Sequence, residues 1–308
     1  MLTFGVLGVG YFGKHYVRLL NELPEAKLVA SGNAAEADAI INSPNIQCIV
    51  ISAPPSQHFP LAQAALTAGK HILVEKPMVL NLKDAKTLAA LAKKMKRILM
   101  VGHQYFYNDY ANELAKQLAG GIIGDVKLVI SEHLYPGPIR TDTSCLWEAG
   151  THALALMDQL FQLKKIISVK GTTISLSPEK RGDFTNATVS FADGPSLHFI
   201  VSWFAPEKIR RLTIIGAKGM AVFDEQQPDP LKFILHPYPA IPTDAASQFL
   251  KLENIVTPAL TPREPLRNQL EHFIDCVANK KTPRTGSKHG VLITRWLEMI
   301  DKKIVKLS

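Results

Sequence analysis

Six residues near the start of the chain, Gly8-Val9-Gly10-Tyr11-Phe12-Gly13, constrain its fold more than any others. They form a G-x-G-x-x-G directly after the apolar run Phe4-Gly5-Val6-Leu7 and open a helical pattern over Phe12 to Leu23. A strand that feeds a glycine turn and then a helix is the context in which this motif has physical meaning. The first glycine permits the tight turn, the second lets the backbone approach a pyrophosphate, and the third allows close helix–strand packing. The helix N-terminus then turns free N–H groups and the positive end of its dipole toward the phosphates.

The alternation continues. Lys27 to Ala30, Ile46 to Ser52, His71 to Val74 and Ile98 to Val101 read as strands, and Ala34 to Asn42, Pro60 to Ala68 and Leu82 to Met95 as the helices between them. Strands separated by helices imply parallel βαβ units. Only about fifteen residues separate the second strand from the third, too few for the helix and further strand that a usual Rossmann half places there. The adenosine-binding half is therefore read as shortened. A carboxylate about 20 residues beyond the motif usually bonds the adenosine ribose. Ser31-Gly32-Asn33 stand there instead, with Glu36 and Asp38 in the next helix. Without an acid to repel a 2′-phosphate, NADP fits as well as NAD.

From about Gln104 the pattern changes. Tyr110 to Leu118 reads as a helix, Val126 to His133 as a strand and Trp147 to Phe161 as a helix. Strand patterns then follow in series at Ile167 to Ile174, Asn186 to Phe191, Leu197 to Phe204, Arg211 to Ile215, Met220 to Phe223 and Lys232 to His236, with an Asp193-Gly194 turn between two of them. Pro237 to Pro262 reads as an irregular loop, and Pro265 to Asn279 and Lys288 to Lys302 as closing helices. The expectation is an α/β protein: a shortened Rossmann domain with a parallel sheet over residues 1–103, then an α+β domain over 104–308 with a large, mostly antiparallel open sheet.

Lys plus Arg number 35 against 27 Asp plus Glu, a formal net charge of +8. The basic residues are scattered, as at Lys93, Lys94, Lys96 and Arg97 or Lys280, Lys281 and Arg284, so they read as solvated surface charge and not as a nucleic-acid arm. Cys48, Cys145 and Cys276 are far apart, without metal-ligand spacing, which fits a reducing compartment. Met1 leads straight into a strand pattern, and no apolar run approaches the ~20 residues that span a bilayer. The expectation is a soluble, cytoplasmic protein with no metal, membrane or nucleic-acid partner.

Glu75-Lys76-Pro77 ends a strand. Ligands of an open parallel sheet bind beyond the carboxyl ends of its strands. A lysine there is suited to proton transfer when partly desolvated, or is simply a surface residue. His58 and His103 also lie after strands, and either line the cleft or serve as packing or hydrogen-bonding residues. H-E-x-x-H, G-x-S-x-G and Walker sequences do not occur, so those hydrolase and nucleotidase chemistries lack support.

Taken together, the glycine motif, Ile51 to His58 (ISAPPSQH), Ala68 to Pro77 (AGKHILVEKP) and a later acid-x-Gly-x-His resemble the Gfo/Idh/MocA oxidoreductases, over roughly residues 3 to 300. The resemblance implies that Lys76 acts near a substrate hydroxyl, assisted by an acid and a histidine of a helix. The matching stretch is Trp147-Glu148-Ala149-Gly150-Thr151-His152, with Glu where Asp is usual. Glu148 and His152, four apart, share a helix face. The implied cofactor contacts, for NAD or NADP, are Gly8, Gly10, Tyr11, Phe12, Gly13, Ser31, Asn33, Ala53, Pro54, His58, Glu75 and Lys76. The implied substrate contacts are His103, Tyr105, Arg140, Trp147 and His152. Ser131 to Leu134, Arg140 and the Ser202-Trp203 to Arg210 segment resemble members acting on UDP-linked N-acetyl amino sugars or their uronates. A sugar or UDP-sugar substrate and a homodimer or homotetramer built on the open sheet follow from the same resemblance. The alternatives are a dehydrogenase of another polyol or aldose, and a non-catalytic dinucleotide- or metabolite-binding regulator. The shortened adenosine half and Glu148 favour the regulator; Lys76 and His152 oppose it.

Overall fold

A computed structural model describes residues 1–163, 165–178, 181–237 and 255–307. The chain forms two compact units, Met1–Tyr107 with Arg263–Glu298, and Asn108–Pro262 with Met299–Ser308.

The first unit is built on five parallel strands, β1 (Leu2–Leu7), β2 (Ala26–Gly32), β3 (Cys48–Ile51), β4 (His71–Glu75) and β5 (Leu99–Gly102), in the order β2-β1-β3-β4-β5. Its helices are α1 (Gly13–Glu22), α2 (Ala37–Asn42), α3 (Pro55–Thr67) and α4 (Leu82–Met95). β3 and β5 are buried along their whole length, which is why they read as continuous apolar runs and not as alternations. Helix α4 shows how local sequence sets an element. The Asn81 side chain accepts the Asp84 N–H at 2.8 Å, Ala85, Leu88 and Ala92 form the buried stripe, and Lys96 ends the helix at φ 53°. A cap of this kind contributes about 1 kcal/mol. Helix α3 starts at Pro55, five residues before the expected Pro60, which lies inside it. Both prolines carry the same first-turn signal, and the earlier one sets the start.

β1 lies between β2 and β3, so the winding direction reverses there. Such a switch point opens a crevice at the carboxyl ends of the strands. Between β2 and β3 the chain holds only the short turn Ala34–Glu36 and the six-residue α2. β2 is thus an edge strand, as expected for a shortened adenosine half.

The second unit contains α5 (Asp109–Ala119), β6 (Val126–Pro136), a π-helical turn Leu146–Gly150 that runs into α6 (Thr151–Phe161), β7 (Ile166–Ile174), β8 (Phe184–Phe191), β9 (Ser196–Ser202), β10 (Phe204–Gly216), β11 (Gly219–Asp224) and β12 (Phe233–Pro237). The chain then supplies α7 (Pro265–Ala278) and most of α8 (Ser287–Lys303) to the first unit and returns in β13 (Val305–Leu307). The second sheet has the order β12-β11-β10-β6-β9-β8-β7-β13. It is mixed: β6 with β9 and β7 with β13 are parallel, and the other neighbours are antiparallel. The Asp193-Gly194 turn joins β8 to β9, with Val189 opposite Leu197. In β8 every second residue is buried, as a sheet with one packed face requires.

Sequence periodicity assigned everything after residue 103 to one domain, whereas Arg263–Glu298 cluster with the first unit. Phe273 of α7 meets Phe4 of β1 edge to face, with centroids 6.2 Å apart. An apolar helix stripe states that it is buried but not which sheet covers it. Of the loop read over Pro237 to Pro262, residues 238–254 lie outside the described residues, and beyond them Val256 forms an antiparallel bridge to Leu235. The three cysteines are free and buried. Among the described residues, no helix is long and apolar enough to cross a membrane.

Candidate functional site

The glycine loop is held from both sides. Gly8 donates its N–H to Gly32 O at 2.8 Å, and its own carbonyl accepts Ser52 Oγ–H at 2.6 Å. At φ +91°, with a Cβ there falling 2.5 Å from Ala53 N, position 8 requires glycine. A Cβ on Gly13 would collide with the Gly8 carbonyl oxygen. Gly10 differs: a Cβ built on it meets no heavy atom within 4 Å among the described residues. Two glycines therefore close the loop, and the middle one faces open space, which is the cradle a pyrophosphate needs. Tyr11 is 89% exposed beside the loop, and Phe12 packs edge to face on His15 and Tyr16. Ser31 and Asn33 are exposed at the end of β2. Ala53 and Pro54 follow β3 at the same end of the sheet.

Lys76 is half-buried directly after β4. The residue before it anchors it. Glu75 Oε2 accepts the Lys76 backbone N–H at 3.1 Å, and Glu75 Oε1 accepts the Tyr16 hydroxyl at 2.5 Å. Gln269 Nε2 donates to the Tyr16 oxygen at 2.8 Å. Burial, then the Glu75 charge, raise the Tyr16 phenol well above its usual range, so it stays a neutral donor. Gly102 leaves room for the carboxylate, since a Cβ there would lie 2.7 Å from Glu75 Oε1. Glu75 is thus enclosed in the sheet end. His58 is enclosed too, 1% exposed, with its ring nitrogens 2.8 Å from the carbonyls of Pro77 and Ala53. It ties the loop after β3 to the segment after β4. His103 is 2% exposed and faces His289, with Nδ1 and Nε2 2.7 Å apart. Tyr105 is buried.

In the second unit, Glu148 lies on the π-helical turn and His152 in the first turn of α6. The His152 ring stacks on His133 of β6, with centroids 5.5 Å apart and planes 9° from parallel. Arg210 of β10 stands opposite His133 in the register. Burial raises the Tyr135 phenol further than the Glu148 charge does. Arg140 forms a fork with Asp142 at 3.0 and 3.3 Å; burial opposes its charge, but Asp142 and then Glu148 more than restore it. Trp147 is buried and donates its indole N–H to Asp301 at 3.2 Å. Its ring thereby braces the turn that carries Glu148.

Several members of these clusters were not singled out from the sequence. Tyr16 lies on the buried stripe of α1 and reads as core. His289 belongs to an element assigned elsewhere. Tyr135 was open to detection, because Ser131, His133 and Tyr135 alternate along β6 and so share one sheet face.

A glycine loop at a topological switch point, with a lysine at the same end of the sheet, is the arrangement of a dinucleotide-binding α/β domain. Comparison with known proteins agrees. Residues 31–103 match the model of the oxidoreductase family with the NAD-binding Rossmann fold, and residues 111–222 match the GFO/IDH/MocA C-terminal domain. The chain belongs to the Gfo/Idh/MocA oxidoreductases, and its first unit is their NAD-binding Rossmann domain. It is 36% identical to the uncharacterized oxidoreductase YdgJ of Escherichia coli over 41% of this chain and 41% of that protein. A 2,7-anhydro-N-acetylneuraminate hydratase of the same organism is matched over 38% of its length, so the chain spans only about two fifths of such relatives. The UDP-N-acetylglucosamine 3-dehydrogenase of Acidithiobacillus ferrooxidans is 24% identical over 89% of this chain and 88% of that one. The crystal structure of a putative oxidoreductase from Magnetospirillum magnetotacticum superimposes with a TM-score of 0.80 at 25% identity, over 96% of this chain and 98% of that one.

Proposed function

We propose that the protein oxidises or reduces a hydroxyl-bearing carbon of a sugar or UDP-linked amino sugar, with Lys76 as the acid/base group. The observation that carries this is the fixing of Lys76 at the carboxyl end of β4, the same end at which the loop around Gly10 opens. The dinucleotide, when bound, supplies the two-electron partner for the carbinol carbon. Gly8, Gly10 and Gly13 shape its pyrophosphate cradle, with Tyr11, Phe12, Ser31, Asn33, Ala53 and Pro54 around it. Glu75 and His58 act from behind, by holding Lys76 and the neighbouring loops.

In the oxidising direction the substrate hydroxyl gives its proton to the Lys76 amine; in the reducing direction the ammonium returns it. Within the second unit, His152, stacked on His133, is proposed to contact substrate, with Glu148 as its acidic partner. Arg140 and Arg210 suit an anionic group such as a diphosphate. Similarity to the UDP-N-acetylglucosamine 3-dehydrogenase over most of both chains supports a nucleotide sugar over a free polyol.

The test is reduced-nicotinamide absorbance with NAD and NADP against UDP-N-acetyl amino sugars, their uronates, free aldoses and inositols. Turnover confined to the nucleotide sugars is the expected result. Turnover on free polyols alone moves the substrate class. Dinucleotide binding without turnover on any of them points to a regulator.

A further inference from the structure

His103 follows β5 directly, as Lys76 follows β4. The strands are parallel, with Glu75 opposite Gly102, so the two residues leave neighbouring strands at the same level. Adjacent strands lie about 4.8 Å apart. His103 is 2% exposed and His289, in the first turn of α8, 8% exposed. Their facing nitrogens are 2.7 Å apart, and the rings cross at 81° with centroids 4.8 Å apart. Phe106 lies on His289 at 4.7 Å between centroids.

Neutral imidazole carries one N–H, so the two rings share one proton between His103 Nδ1 and His289 Nε2. The remaining proton then has two places. When His103 donates the shared proton, the outer nitrogen of His103 is bare and that of His289 is protonated. When His289 donates, the reverse holds. Adding a proton at the outer nitrogen of His103, shifting the shared one across, and releasing one from the outer nitrogen of His289 converts the first arrangement into the second. One proton enters and one leaves.

We propose that the His103–His289 pair is the proton partner of Lys76, relaying protons between its amine and the far side of His289. The inference rests on Lys76 being the acid/base group, and it makes His103 and His289 positioning residues that act through it. After the amine takes the substrate proton, the ammonium passes one to the outer nitrogen of His103, and the pair sheds one from His289. The charge is thus carried by Lys76 or by the pair, not by both. Burial, then the charges of His289 and Lys76, hold the His103 imidazole well below its ordinary range, which keeps the charged pair transient. The other ionisable groups around it are Glu75 beneath Gly102, Tyr107 in the turn after β5, Arg284 over the Phe106 ring, and His272 of α7 against Tyr107.

The test follows His103 by nitrogen NMR of histidine-labelled protein through a pH titration, in the wild type and in Lys76→Met. Loss of the neighbouring positive charge should raise the His103 apparent pKa by about half a unit or more. In kinetics, His289→Gln and His289→Phe should each lower turnover about tenfold or more and shift the pH profile of kcat/KM by about half a unit or more. Two variants are used because the Phe ring keeps the packing and Gln keeps the hydrogen bond. An unmoved His103 titration in Lys76→Met overturns the relay. So do His289 variants that lose thermal stability while keeping the wild-type pH profile. If Lys76→Ala leaves turnover unchanged, the acid/base assignment itself falls; if Lys76→Ala loses turnover while the histidine variants do not, only the relay falls.

Discussion

The side-chain oxygen of Asn33 accepts the backbone N–H of Val9 at 3.1 Å. The residue standing where a ribose-binding acid is usual therefore fastens the end of β2 to the glycine loop. Behind it, Glu36 Oε2 accepts the Asn33 N–H at 2.8 Å, which brings a carboxylate back to the strand end. The sequence left NAD and NADP level; we propose that this carboxylate, held at the strand end, biases the site toward NAD by repelling a 2′-phosphate. Glu36→Gln should narrow the NAD preference about tenfold, the equivalent of about 1.4 kcal/mol. Fluorescence titration with both dinucleotides checks it, and an unchanged ratio removes Glu36 from cofactor choice.

Gly10 separates a ligand role from a structural one. A Cβ there meets open space, whereas one on Gly8 or Gly13 meets backbone. Gly10→Ala should leave the unfolding free energy within about 0.5 kcal/mol while weakening dinucleotide binding about tenfold or more. Gly13→Ala should lower thermal stability even without dinucleotide. Calorimetric titration and thermal melts of both variants give the comparison.

Tyr16 is fully buried between Glu75 and Gln269. Tyr16→Phe removes one hydroxyl and leaves both partners short of a bond. The cost should be about 1–3 kcal/mol in urea unfolding. Because Glu75 also holds the Lys76 backbone, kcat should fall more than dinucleotide affinity does.

His71 Nδ1 accepts the Ile98 N–H at 3.1 Å, which requires a bare nitrogen. Burial first, and then Arg97, lower its pKa from 6.5 to about 4. The unfolded chain therefore binds a proton that the folded one refuses between those values. The contribution is complete above pH 6.5 and is lost as pH falls toward 4. The ring is partly exposed, so solvent screening reduces the effect to about 1 kcal/mol. Urea midpoints should drop on acidification in the wild type, and less so in His71→Gln.

The parallel order, the glycine turn and the strand-end position of Lys76 were legible because each depends on local sequence. The hydrophobic run of β3 and the Gly-to-helix transition carry their own geometry. The shortening between β2 and β3 was legible as a residue count. What escaped depends on distant partners. Nothing at Tyr16 announces Glu75, and nothing in the helical stripe of α7 states that it lies on β1. Nothing at His289 announces His103 until the fold brings the two rings together. The π-helical turn at Leu146–Gly150 also escaped, since an i, i+4 spacing of Glu148 and His152 suits either helix type.

The central claim is that Lys76 moves the substrate proton while the glycine loop holds the dinucleotide independently of it. The most direct measurement is turnover and dinucleotide affinity in wild type and Lys76→Ala, on whichever substrate the absorbance screen identifies. A fall in turnover of about 10²–10⁴-fold with dinucleotide affinity nearly unchanged is the expected result. Equal turnover in the two proteins, or no binding of either dinucleotide by the wild type, would contradict it.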